Sequence, residues 1–113
     1  MHQKFSLKRV EALQAKQQRL EWLKEHMPSM EQEARADLIM TCIYVMQGSL
    51  KSFRGEELKR AKTMMAAAME AASPLKWNGS FSPMRNLLLQ AAQIHLGLTA
   101  RLLNFLIAIH VLT

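Results

Sequence analysis

Four histidines, one cysteine and nine methionines are the residues of this 113-residue chain best suited to hold a metal or to act as nucleophile or proton carrier. Their spacing favours none of these. His95 and His110 fall on one predicted helix but about four turns, or ~22 Å, apart, too far to share an ion within one chain. His2 and His26 lack a partner at ligand spacing. Met64, Met65 and Met69 cluster without a neighbouring Cys or His, as flexible core fillers do. Cys42 lies in the apolar run Leu38–Met46 and reads as a reduced core thiol; as the sole cysteine it cannot form an internal disulfide. There is no phosphate-cradling glycine loop, nucleophile elbow or zinc-protease pattern. No catalytic residue, metal site or cofactor is therefore assigned, and the chain reads as a non-enzymatic binder of another macromolecule.

Charge gives a second lead. Fifteen Lys and Arg against nine Asp and Glu leave a formal charge of +6, a balance that attracts nucleic acid, anionic lipid or an acidic protein alike. Lys8, Arg9, Lys16 and Arg19 on the first predicted helix, and Lys59, Arg60 and Lys62 on the third, are candidate phosphate contacts. Glu11, Glu21, Glu56 and Glu57 dilute both patches, and the ten-residue connection before the last helix does not fit a helix-turn-helix. Solvated faces are the better account. A small basic accessory protein acting on nucleic acid stands second to a protein binder, and a peripheral membrane protein third. The N-terminal residues carry basic charge but no apolar h-region, so no signal peptide is read and a cytoplasmic location is expected.

Half the residues are apolar, Gly and Pro are few, and aromatics are sparse. This composition predicts one all-α domain over residues 1–113, a four- to five-helix bundle. A first helix is predicted from an N-cap at Ser6, stapled by Phe5 and Val10, to about His26 before Pro28. Its apolar stripe is Leu13, Leu20, Leu23 and Met27, interrupted by Lys16. A second helix is expected to start at Ser29 with a capping box to Gln32, to bury Leu38–Met46 almost all round, and to end or kink at Gly48. The β-branched run Ile39–Val45 would also suit a strand, but its helical flanks favour helix. Gly55 marks a further break. A third helix, about Glu56–Ala72, presents Leu58, Ala61, Met65, Met69 and Ala72 to the core and stops before Pro74. In the loop that follows, Asn78-Gly79 reads as a tight turn. Trp77 and Phe81 either plug the bundle end, the more ordinary role, or join Met84 as partner-binding anchors.

The last helix carries most information. Ser82 caps it, Pro83 occupies its first position, and only Gly97 interrupts the pattern before Thr113. Asn86, Gln90, Gln93, Gly97, Arg101 and Asn104 form one polar strip on a helix otherwise apolar. That strip would be costly against lipid, and the apolar run Phe105–Ile109 is far short of the ~20 residues of a span. A continuous helix here would reach ~45 Å, more apolar face than a thin domain can cover. A second copy would cover it, so a homodimer is expected, with Leu98, Leu102, Phe105 and Ile109 at its core and Ile94 and Leu106 beside them.

The segment QAAQIHLGLTARLLNFLIAI, residues 90–109, resembles the C-terminal helix of TraM-type quorum-sensing antiactivators. The matching positions are Ile94-His95, Leu98, Thr99-Ala100 and the aliphatic run Leu102–Ile109, about a quarter of the chain. The long helix, turn-rich loop and apolar last helix follow the same order, and the functionally similar QslA antiactivators are also small and helical. The helix Ser6–His26 is extra to the TraM pattern. The resemblance implies a homodimer centred on His95 that captures a LuxR-type transcription factor and blocks its dimerisation or DNA binding.

Overall fold

The computed structural model of the chain describes the backbone of residues 7–112 and the side chains of residues 10–109. Five α-helices follow in order: α1 Leu7–His26, α2 Glu31–Ser52, α3 Gly55–Ala72, α4 Pro83–Ile94 and α5 Leu96–Leu112, with a 3-10 turn at Pro28–Met30. No strand occurs among the described residues, so Ile39–Val45 is helix. The expected cap Ser6 and the Phe5 half of the staple lie outside the described residues, as do His2 and the side chains of Lys8, Arg9 and His110.

α2 is the axis of the fold. It packs against α1, α3, α4 and α5, while α1 and α3 also pack on each other. This accounts for its nearly unbroken apolar run: Leu38, Ile39, Cys42, Ile43, Val45 and Met46 are buried, whereas Tyr44 points outward. From α1 the core receives Val10, Leu13, Leu20 and Leu23, and from α3 Ala61, Met65, Ala68 and Ala72. The small α3 residues allow close approach to α2, and each large aliphatic side chain buried adds about 1.5–3 kcal/mol. Met27, expected to extend the α1 stripe, lies past the helix end and is exposed. Lys16, which interrupts that stripe, reaches Asp37 on α2 at 2.8 Å.

Three boundaries differ from expectation. The Ser29–Gln32 capping box does not form. Pro28 instead opens a 3-10 turn, and Met30 occupies the N-cap position of α2 without a side-chain cap bond. Gly48 does not end α2, which continues to Ser52; packing around it outweighs the ~1 kcal/mol that glycine costs within a helix. The turn falls at Phe53 and Arg54, and Gly55 opens α3 at φ +58°, a conformation an L side chain resists.

The third difference is the largest. The predicted continuous last helix is two helices, broken at His95 in an extended conformation (φ −157°, ψ 97°). The His95 N–H bonds the Ala91 carbonyl at 2.9 Å and closes α4. Its imidazole Nδ1 then accepts the Leu98 N–H at 2.9 Å, as an N-cap side chain does, and so opens α5. Thr99 donates both its N–H, at 3.1 Å, and its Oγ1 hydroxyl, at 2.9 Å, to the His95 carbonyl. A Cβ at Gly97 would meet His95 Cε1 at 3.4 Å, an ordinary van der Waals contact, so the capping ring does not require glycine there. An unbroken helix of ~45 Å would exceed the longest dimension of the fold, 41 Å. The break turns α5 back so that Leu96, Thr99, Ala100 and Leu103 pack inward, with α5 lying on both α2 and α4.

Candidate functional site

The polar strip of α4 faces inward. Asn86 is buried; its Oδ1 accepts the Asn78 N–H at 3.0 Å, and its Nδ2 donates to the Asn78 carbonyl at 2.8 Å and more weakly to that of Phe81 at 3.4 Å. One turn on, Gln90 Nε2 donates to the Leu75 carbonyl at 2.8 Å. Gln93 Nε2 donates to the same carbonyl at 2.9 Å, and its Oε1 accepts the Leu75 N–H at 2.7 Å. Three amides at helical spacing thus satisfy the backbone of the 73–82 connection, which would otherwise bury unpaired groups. On α5 the strip continues through Asn104, whose Oδ1 accepts from Gln47 Nε2 at 3.2 Å.

With Asn86, Gln90, Gln93 and Asn104 bonded inward and Arg101 left exposed, the helix pair also presents apolar side chains to solvent. Met84, Leu87 and Ile94 are exposed on α4, Ile94 to 85%. Leu98, Leu102, Phe105, Leu106 and Ile109 are exposed on α5. Leu98, Leu102, Phe105 and Ile109 recur at intervals of four, three and four residues, the spacing of a coiled-coil seam. From Phe105 to Ile109 every side chain is exposed, including Ile107 on the opposite side of the helix, so the α5 tip stands clear of the helices behind it. Besides Ile107, eight large apolar side chains are thus exposed on two helices that pack on each other, and monomeric proteins rarely leave large apolar patches uncovered. Of the residues expected on this surface, six of seven are exposed apolar side chains. The seventh, His95, is exposed but makes the α4–α5 joint.

The three residues expected to contact a partner separate. Met84 and Trp77 are exposed. Phe81 is only 7% exposed, with the Arg85 guanidinium 4.4 Å above its ring, and fills the end of the bundle rather than offering an anchor. Asn78-Gly79 does form a tight turn, closed by the Phe81 N–H on the Asn78 carbonyl at 3.0 Å. Ser82 Oγ caps α4 by accepting the Arg85 N–H at 3.2 Å.

Between α2, α3 and the α4–α5 joint lies a groove of about 860 Å³. Met46, Leu50, Met65, Met69 and Leu96 supply apolar lining, Ile94 and Leu98 continue it onto the exposed face, and Lys62, Arg101, His95 and Glu70 supply its charged and titratable groups. Sequence reasoning missed this groove, because it is created by the break at His95.

Elsewhere the candidate chemistry is structural. Cys42 is buried, and desolvation pushes its thiol up to about 12. His26 stacks on Trp22 with ring centroids 4.4 Å apart, and its Nδ1 lies 2.9 Å from the Trp22 carbonyl. Among the described residues no three His, Cys, Asp or Glu side chains converge as metal ligands, and no helix is long and apolar enough to cross a membrane. Of the basic side chains, Lys16 pairs with Asp37, Arg35 with Glu31 and Arg85 with Glu33, whereas Arg19, Lys59, Arg60 and Lys62 are exposed. No protein-family model, curated protein or solved structure matches the chain.

Proposed function

We propose that this chain acts by binding protein: it pairs with a second copy through α5 and, as an antiactivator, sequesters a LuxR-type transcription factor so that the factor cannot dimerise or bind DNA. The observation that supports binding is the exposed apolar face of α4 and α5. At on the order of 100 Å² of exposed surface per large apolar side chain, its eight residues offer roughly 800 Å², about one partner's share of a stable interface. The choice of a LuxR-type regulator rests on the resemblance of residues 90–109 to the TraM-type helix. The net charge of +6 would steer an acidic partner surface toward it.

The test has two parts. Light scattering coupled to size exclusion should give twice the chain mass. Tagged protein should then retain a stoichiometric LuxR-type regulator from a lysate of its source after nuclease treatment, and adding the protein should release that regulator from its operator DNA. A regulator that stays on DNA at saturating protein overturns the antiactivator role. Retained material that disappears with nuclease moves the function to nucleic-acid binding through Lys59, Arg60 and Lys62.

A further inference from the structure

We infer that the groove between α2, α3 and the α4–α5 joint is a receptor for the α5 tip of a second copy, the two α5 helices running antiparallel so that each tip fills the other's groove. The inference rests on the proposed self-association and specifies its geometry.

Three features of the surface carry it. First, the seam Leu98, Leu102, Phe105, Ile109 has the same four-three-four spacing read in either direction. A two-fold antiparallel pairing therefore sets Leu98 against the partner's Ile109 and Leu102 against the partner's Phe105, with an apolar side chain opposite each apolar side chain.

Second, the groove and the tip lie at opposite ends of this seam. Leu98 and Arg101 line the groove, whereas the fully exposed tip is Phe105–Ile109, ending ~16 Å further along the helix at ~1.5 Å per residue. Antiparallel pairing brings each tip beside the other copy's groove. Parallel pairing sets tip against tip and leaves both grooves open. The groove's volume of about 860 Å³ accommodates several large side chains, and the half-buried Met69 and Leu50 give it apolar, partly adaptable lining that suits an aliphatic insert.

Third, the charges agree. A helix C-terminus carries partial negative charge on its unpaired carbonyls, and α5 contains no Asp or Glu to oppose a cation there. The groove toward which that end of the partner helix runs carries Lys62 and Arg101 as its cations, with Glu70 the one acid in its lining. In a parallel pair the two negative ends would lie side by side.

Disulfide trapping separates the geometries, and the native Cys42 is a silent background because it is buried. Differently tagged copies carrying Leu98→Cys and Ile109→Cys, mixed and mildly oxidised, should cross-link to each other, with little product from Ile109→Cys alone. Efficient Ile109→Cys self-linking shows a parallel pair and overturns the inference while leaving the dimer intact. A chain that sediments as a monomer at all concentrations overturns both. Ala66→Glu places a carboxylate in the groove at an exposed position. It should raise the dimer Kd more than tenfold with an unchanged circular dichroism spectrum; an unchanged Kd means the groove is not occupied by the second copy.

Discussion

Cys42 and Ser49 lie two turns apart on the same face of α2, and both are fully buried. Desolvation alone pushes the Cys42 thiol from an ordinary 9.0 up to about 12. The thiol is therefore neutral and shielded, and a maleimide at pH 8 should label it only at the rate of global unfolding; rapid labelling of native protein would mean that α2 opens locally. The same shift has a signed effect on stability. Below pH 9 both folded and unfolded thiols are protonated and the contribution is complete. Between pH 9 and about 12 the unfolded chain releases its proton first, so stability falls with a slope of up to ~1.4 kcal/mol per pH unit. A Cys42→Ala variant should lack that component of the alkaline decline in urea titrations. Ser49 poses the opposite problem, because its Oγ is buried with no hydrogen-bond partner. An unsatisfied hydroxyl costs ~1–3 kcal/mol, so Ser49→Ala should leave stability unchanged or raise it by about 1 kcal/mol. Destabilisation would show that the hydroxyl has a partner after all.

At the scale of the element, the α4–α5 joint depends on one imidazole. Because Nδ1 accepts the Leu98 N–H, the ring must carry its proton on Nε2. His95→Ala deletes the cap and should cost about 1 kcal/mol in chemical denaturation, while His95→Asn supplies another acceptor and should recover most of it. Equal losses in the two variants would mean that the ring contributes by packing. This joint also shows what the sequence conceals. The α1, α3 and α4 starts or stops were legible because Pro28, Gly55, Pro74 and the Ser82-Pro83 pair act locally through backbone sterics. The buried face of α2 was legible from its apolar run, and the exposed α5 residues from their seam spacing. Histidine is not among the favoured N-caps, and Ile94-His95-Leu96 has no breaker. Its extended conformation is imposed from outside, by the gain from turning Leu96, Ala100 and Leu103 onto the core. The groove that follows from the break was hidden for the same reason. Phe81 was ambiguous because a loop aromatic reads alike whether it plugs or protrudes, and only its burial in the folded chain decides it. The Ser29 capping box matched in spacing but lost to the proline before it.

At the scale of the whole molecule, the balance between inside and outside is the fact that bears on function. The fold commits the amides of α4 to the 73–82 connection and leaves an aliphatic face of α4 and α5 in water, the observation on which the proposed association rests. Leu102 and Phe105 lie at the centre of that face, 55% and 60% exposed, so replacing both by Glu should not disturb the packing of the single chain. In a two-fold dimer each substitution counts twice. Losing four buried side chains at about 1.5–3 kcal/mol each removes at least ~6 kcal/mol, and four carboxylates in an apolar seam add repulsion and desolvation. A micromolar dimer is held by only about 8 kcal/mol. The double variant should therefore be monomeric at concentrations where the parent is dimeric, with helical content retained. Sedimentation equilibrium measures the first property and circular dichroism the second. Persistence of the dimer would remove α5 from the interface, and with it the seam, the groove and the tip as a single self-complementary surface. A monomer that still captures its regulator would instead separate the two activities and place regulator binding outside the Leu102–Phe105 seam.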